Sequence, residues 1–317
     1  MSILPLDHGI FASSGAGAAV GVAGYIPSLF NGGFSTAVDK WAFPSDTRSA
    51  TTARTASGNS FTSFANSAVA GYSSGGYNQY WARIKKSYKM TMPSDTWSML
   101  ADVAAVVAYG NGNANSGVAG YLSGGQVTGG TFASDVMQKI TFSSDAWSTM
   151  STVLPYEYNN NGGPMDNNGV ACYIAGGQYK SGGSTFVTNK VVKWSVPSES
   201  VTTTTVLSAS NTYKGGCSNN AVAGYVFGGF SSGDVVEKYA FPSDTRSTLT
   251  ATVSDVYAVG GFSNSGVAGY SAGGYINSGS PTSTVYKIDF TNDSSATTTA
   301  ISQTSYYTPG FSDQGVL

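Results

Sequence analysis

One short string recurs along this chain at a spacing that restricts what it can fold into. Val-Ala-Gly-Tyr, or a close variant, ends at Tyr25, Tyr72, Tyr121, Tyr173, Tyr225 and Tyr270, at intervals of 47, 49, 52, 52 and 45 residues. In five of the six copies a glycine pair follows two residues later: Gly75-Gly76, Gly124-Gly125, Gly176-Gly177, Gly228-Gly229 and Gly273-Gly274. The first copy delays its pair to Gly32-Gly33, behind an insertion containing Pro27. A second landmark keeps phase with the first. FPSDTRS stands at 43–49 and 241–247, MPSDTWS at 92–98 and FSSDAWS at 142–148, with weaker forms VPSESVT at 196–202 and FTNDSSA at 290–296. Its acidic residue is Asp46, Asp95, Asp145, Glu199, Asp244 or Asp293, and six positions earlier stands Lys40, Lys89, Lys139, Lys193, Lys238 or Lys287. Such a period marks a repeat architecture, in which each unit buries its apolar face only by stacking on its neighbours.

Each unit reads as strands and turns. Asn115-Ser116-Gly117 and Asn264-Ser265-Gly266 carry the Asn and Gly that tolerate positive φ, so each closes a hairpin. The GVAGYxxGG segment that follows is a strand of small residues, ending where two glycines permit a sharp departure of the backbone. Residues 236–241 alternate and place aromatics on one face of a half-buried strand. Pro-Ser-Asp-Thr then makes a turn, with Pro presetting φ and Asp bonding the backbone ahead. A Thr/Ser/Val-rich strand such as 247–253 follows, and a last short strand leads back to the next Asn-Ser-Gly turn.

Four strands per unit make the blade of a β-propeller. The expected fold is therefore all-β: a single six-bladed propeller over residues 20–317, with four antiparallel strands per blade and units starting near 21, 68, 117, 169, 221 and 266. Residues 301–313 are expected to complete the first blade, so that the C-terminal strand closes the ring and removes an exposed sheet edge. Residues 1–19 are left over as an N-terminal arm or extra strand. A β-solenoid or a stacked sandwich is the architectural alternative.

Composition agrees with strands and narrows the function. Gly is poor in helices, while the abundant Thr, Val and Tyr suit a pleated surface. The formal net charge is −2 with Lys and Arg scattered, so the basic footprint of a nucleic-acid binder is missing. The N-terminus lacks a basic region and Asp7 interrupts its apolar character, so no signal peptide is read there. Residues 9–25 carry no charge, but their Gly and Ser content and their share in the repeat argue against a membrane span. The two cysteines, Cys172 and Cys217, are too few for a disulfide framework or a thiolate metal site and read as buried thiols, a bond between them staying open.

Catalytic chemistry finds little to work with. His8 is the single histidine and lies outside the repeats, so a Ser-His or Cys-His pair within them is excluded. Each Pro-Ser-Asp turn offers one carboxylate where a calcium loop needs several, so the acid reads as a turn cap and no metal or cofactor is expected. The six lysines are expected to pack their stems and send their heads to solvent or to carbonyls, with an anion-binding ring as the alternative. Gly15-Ala16-Gly17 has no helix signal behind it and is no phosphate loop. Arg48 and Arg246 share one place in two units, and a sialidase-like arginine cluster is the weakest of the enzyme readings.

Loop length supplies the positional clue. The stretches after the glycine pairs vary, being long at 77–81, 126–134 and 178–188, and 156–161 lies on the same side. Their Tyr77, Tyr80, Trp81, Gln126, Tyr156, Tyr158, Gln178 and Tyr179 are the candidate binding residues, because aromatics offer contact area with little entropy to lose.

The Gly-Gly pair after a Tyr-containing strand, and the aromatic strand leading to an Asp turn with Trp97 or Trp147 two residues on, resemble the kelch repeat. The likeness covers about residues 10–317 and departs where Arg48, Val201, Arg246 and Ser295 replace that Trp. The pairing of GYxxGG with K-x-x-FPSDT also resembles kelch-like repeats in virion and tail-fibre proteins of marine tailed phages. That resemblance implies a non-enzymatic virion protein, assembled in the host cytoplasm as a tail-fibre, adhesin or decoration component. It would attach to other virion proteins through the arm and turn its loops to a host-surface glycan or protein receptor. A cellular lectin-like or protein-binding kelch propeller is the second reading, and a glycan-active enzyme the third.

Overall fold

The computed structural model describes residues 22–127, 133–160, 162–196, 198–231 and 233–314. The expected arm, with His8 and Gly15-Ala16-Gly17, lies outside the described residues, as do part of the 126–134 loop and the last three positions. Thirty strands and no helix are found among the described residues.

Six antiparallel four-stranded sheets carry the repeat. Sheet one orders Phe311–Ser312, Ala23–Pro27, Val38–Ala42 and Thr47–Ala50, so its first strand comes from the far end of the chain. Phe311 and Ser312 pair there with Tyr25 and Gly24. The other sheets each run in chain order. Sheet two is Thr62–Asn66, Ala70–Ser74, Ser87–Thr91 and Thr96–Met99, and sheet three is Asn111–Asn115, Ala119–Ser123, Met137–Thr141 and Ala146–Thr149. Sheet four is Gly163–Asn167, Ala171–Ala175, Val191–Ser195 and Val201–Thr204. Sheet five is Gly215–Asn219, Ala223–Phe227, Val235–Ala240 and Thr245–Thr252, and sheet six is Gly260–Asn264, Ala268–Ala272, Val285–Asp289 and Ser294–Thr298. This is the sheet arrangement a propeller requires.

Burial falls from the first strand to the fourth. In sheet two the strands Thr62–Asn66 and Ala70–Ser74 are buried throughout, Ser87–Thr91 is buried at Ser87, Tyr88 and Met90, and Thr96–Met99 is mostly exposed. A strand covered on both faces cannot alternate, which is why the Val-Ala-Gly-Tyr copies contain small apolar residues instead.

The glycine of each copy has a steric cause. A Cβ on Gly71 would lie 2.0 Å from the Phe311 ring, on Gly120 2.0 Å from Phe64, and on Gly24 2.2 Å from Phe262. On Gly224 it would meet Met165 at 2.3 Å, and on Gly269 the Cys217 sulfur at 2.1 Å. At five junctions a first-strand side chain thus seats on the glycine of the following sheet, with Phe290 also close at Gly269. The exception fits the rule: where the first strand offers the small Ala114, the next copy replaces its glycine with Cys172, whose sulfur lies 3.8 Å from the Ala114 carbonyl. Both cysteines are buried, free thiols, and burial pushes each well above the usual thiol pKa.

First strands of successive sheets also meet directly. A Cβ on Gly112 would lie 2.4 Å from the Ser63 carbonyl oxygen, on Gly216 2.0 Å from that of Pro164, and on Gly261 2.0 Å from that of Gly216.

Candidate functional site

The two ends of the strands are built differently. At one end lie the short Asn turns and Pro-Ser-Asp turns. At the other, the stretch after each glycine pair meets the segment leading into the first strand. In sheet four these form a small sheet of Glu157–Asn160, Gln178–Ser181 and Ser184–Val187. In sheet six they form another, from Val256–Tyr257, Tyr275–Ile276 and Ser280–Pro281. Asn59 pairs with Tyr77, and Ala108 with Gln126, in the same way. The long loops are therefore held by backbone hydrogen bonds.

At the turn end, the lysines and acids act differently from the expectation of solvated heads and capped turns. Every acid of the turn sits at positive φ, from 52° to 55°, which turns its carboxylate sideways towards the preceding sheet. There it accepts a lysine at 2.5–2.8 Å: Lys40 on Asp95, Lys89 on Asp145, Lys139 on Glu199, Lys193 on Asp244, Lys238 on Asp293 and Lys287 on Asp46. In five of the six cases the tyrosine directly across from the lysine donates its hydroxyl to the same carboxylate: Tyr25, Tyr72, Tyr173, Tyr225 and Tyr270. The register explains the meeting, because Tyr25 pairs with Lys40 and Tyr72 with Lys89. Glu199, one methylene longer, leaves the Tyr121 hydroxyl without a partner. Burial and the adjacent carboxylate push the five bonded tyrosines well above the usual pKa. The lysines are thus neutralised by partners between sheets. Arg48 and Arg246 lie against Asp39 and Glu237 of their own sheets.

The loop end gathers the sequence candidates into two groups. In the first, Tyr77 donates its hydroxyl to Gln126 at 2.8 Å, and Arg83 donates to the same oxygen at 3.2 Å. Trp81 stands beside Tyr77, ring centroids 6.0 Å apart, and against Phe30 and Phe34. Tyr77 is buried, whereas Tyr80 is 78% and Trp81 56% exposed. In the second group, Tyr156 and Tyr179 pack at 5.1 Å with the Lys190 ammonium 3.9 Å over the Tyr156 ring. Gln178 opens the strand that carries Tyr179, and Tyr158 is fully buried beneath the group. Tyr158 and Tyr77 therefore support the loops, and the surface belongs to Tyr80, Trp81, Tyr156 and Tyr179.

A third group escaped sequence reasoning. Two or more residues before five of the six first strands, the chain passes through a left-handed residue: Ser60, Tyr109, Tyr213, Ala258 and Tyr307, at φ of 52–58°. A bulky side chain at positive φ is rare and costs backbone energy of about 1–3 kcal/mol. The three tyrosines meet, Tyr307 lying 5.1 Å from Tyr109 and 5.6 Å from Tyr213. Tyr306 links them to Phe30 at 4.9 Å and to Tyr275 at 4.1 Å, and Tyr77 to Tyr109 at 5.7 Å. One aromatic network thus joins Trp81 to the tyrosine trio. Burial raises the hydroxyls of Tyr109 and Tyr306 to about 12, and that of Tyr307 further, so they are neutral donors at ordinary pH. Aligning the units shows Tyr at alternate copies of this position (Tyr109, Tyr213, Tyr307), the signal that could have found them.

Tyr213 and Tyr307 help line a central pocket that is partly open to solvent. All six sheets contribute, through residues 61–63, 110–112, 213–216, 258–261 and 307–310 with Gly162 and Pro164. Eight of the twenty lining residues are glycines. Lys214 is the charged residue in it.

Among the described residues, no group of three His, Cys, Asp or Glu could hold a metal ion, and no helix is long and apolar enough to cross a membrane. Compared with known proteins, the chain matches no family model and no curated protein.

Proposed function

We propose that the chain is a six-bladed kelch-like propeller, closed by its C-terminal strand, that acts as a non-enzymatic recognition module through its loop end. Three observations support the ring. Lys287 and Tyr270 of sheet six reach Asp46 of sheet one. Phe262 of sheet six seats on Gly24 of sheet one, and Phe311, on the strand that completes sheet one, seats on Gly71 of sheet two. The central pocket draws on all six sheets.

The recognition reading is carried by one observation: a continuous aromatic network whose outer member, Trp81, is exposed, with Tyr80 exposed next to it in the same loop. Exposed rings on hydrogen-bonded loops give flat apolar area with little entropy to lose, which suits a sugar ring or a protein surface. The biological setting we propose is a phage virion, as a fibre, adhesin or decoration component. The paired motifs and the low charge support that setting, and the N-terminal arm would make the attachment to other virion proteins.

Two experiments test this. Mass spectrometry of purified particles should detect the chain as a stoichiometric component, and its absence there would end the virion reading. A glycan array probed with the wild type and with Trp81→Ala should show binding that the variant loses. Binding unaffected by Trp81→Ala would move recognition away from this face.

A further inference from the structure

We infer that the central pocket is a binding site for a carboxylate-bearing sugar, with Lys214 as the cation that receives the carboxylate. This rests on the recognition reading above and assigns that surface a ligand class.

Lys214 is 4% exposed and lines the pocket. Its ammonium has three N–H groups, and one of them goes to the Gly228 carbonyl at 2.8 Å. Among the described residues it has no ion-pair partner, in contrast with the six repeat lysines. The charge is no feature of the repeat either, since the corresponding residues entering the other first strands are Phe61, Gly110, Gly162, Val259 and Thr308. Glu237 acts on it electrostatically but makes no ion-pair contact, and a desolvated ammonium with no contacting counter-charge is costly, a cost that an anion in the pocket would offset. Burial also draws Lys214 down to about 8, which leaves it cationic at neutral pH.

A second observation is independent. Asn111, in the same lining, is 2% exposed, and neither its Oδ1 nor its Nδ2 has a hydrogen-bond partner. A carboxamide left open on both atoms inside a pocket can both donate to and accept from a hydroxyl. Tyr213 and Tyr307, packed on each other, are in the same lining and supply aromatic surface for the C–H side of a sugar. One cation matches a monoanion, and a phosphate dianion would bring unmatched charge into a glycine-rich lining. One carboxylate, one hydroxyl and one apolar face together describe a sugar acid.

The test is calorimetric titration of the full chain with D-galacturonate, D-glucuronate and N-acetylneuraminate, against D-galactose as the neutral control. At least one acid should bind, with D-galactose at least tenfold weaker. Lys214→Met and the near-isosteric Asn111→Asp, which sets a carboxylate in the pocket, should each weaken that acid at least tenfold while keeping the wild-type circular dichroism spectrum. Two results overturn the pocket assignment and leave glycan recognition standing. One is equal binding of acid and neutral sugar, and the other is a loss that follows Trp81→Ala in place of Lys214→Met. No binding by any of the three acids, with a glycan array positive for neutral sugars, also overturns the assignment alone. Silence in both assays overturns the recognition reading as well.

Discussion

Arg54 occupies a place that the other five sheets give to an aliphatic side chain. Its backbone N–H donates to Thr36, just as Val103 donates to Lys85, Leu154 to Asp135, Leu207 to Asn189, Val253 to Asp234 and Ile301 to Ser283. The guanidinium is 2% exposed, and Nε, Nη1 and Nη2 all lack hydrogen-bond partners. It stacks 3.7 Å from the centre of the Phe61 ring and 5.2 Å from that of Tyr88. A desolvated cation–π contact returns about 2 kcal/mol, whereas holding an unpaired ion away from water costs several kcal/mol. The second effect wins. Arg54→Met keeps most of the unbranched volume and removes the charge, so it should stabilise the fold by about 2 kcal/mol, within the range seen when buried ions are replaced by apolar residues. For 317 residues that is a rise in Tm of roughly 3 °C, taking about 2.1 cal/mol/K of unfolding entropy per residue. Urea titration followed by tryptophan fluorescence measures the change as a shift of midpoint at constant slope. A loss of 1 kcal/mol or more in Arg54→Met, repeated in Arg54→Leu, would refute the reasoning and mean that the guanidinium is satisfied in solution.

Three further outcomes follow from single contacts. Glu199→Asp should bring a carboxylate oxygen within reach of the unpartnered Tyr121 hydroxyl and gain about 1 kcal/mol in the same urea assay; no gain would show that the extra methylene of Glu199 is not the cause. Gly71→Ala places a Cβ 2.0 Å from the Phe311 ring and should cost about 2–3 kcal/mol. Combining it with Phe311→Leu should cost less than the sum of the two single changes, and strict additivity would show that the C-terminal strand is not seated on sheet two. Lys214 makes stability depend on pH. Below 8 both folded and unfolded chains hold the proton and the cost of burying the charge is complete, whereas between about 8 and the usual 10.5 the folded chain gives its proton up first. Stability should therefore rise with pH in that window relative to Lys214→Met, read from urea titrations at pH 7, 9 and 10, and a constant gap between the two proteins would refute it.

Much of the fold was legible because the residues that make it are local. The glycine pairs announce their positive φ, and the turns announce themselves by Asn-Ser-Gly and Pro-Ser-Asp. The first strands were the least legible. Sequences such as TSFAN, NGNAN and GGCSN carry no period-two pattern, since they are buried on both faces and lie against the backbones of neighbouring sheets. The lysines and acids were visible one by one, but not as pairs. Lys40 and Asp95 lie 55 residues apart, and only the angle between successive sheets brings them together. The candidate site was half legible. Trp81 and Tyr80 were read from loop length and composition, while Tyr109, Tyr213 and Tyr307 were missed because a left-handed tyrosine has no residue-type signature.

The two ends of these sheets answer to different constraints, and the difference supports the proposal that the loop end is the recognition surface. At the turn end the lysine–carboxylate pair is used six times over, and at one junction a change in one partner is matched in the other: glycine becomes Cys172 where a larger side chain becomes Ala114. Such positions report the packing of one sheet on the next, which any ligand would disturb. At the loop end the copies diverge. The residue entering the first strand is Lys214 in one sheet and Phe61, Gly110, Val259 or Thr308 in others, and the connections range from none to a small sheet of their own. Packing does not require an unpaired ammonium, an unbonded Asn111 carboxamide or three tyrosines at positive φ. Features that cost stability are where function is to be sought, and here Lys214, Asn111, Tyr213 and Tyr307 line one pocket.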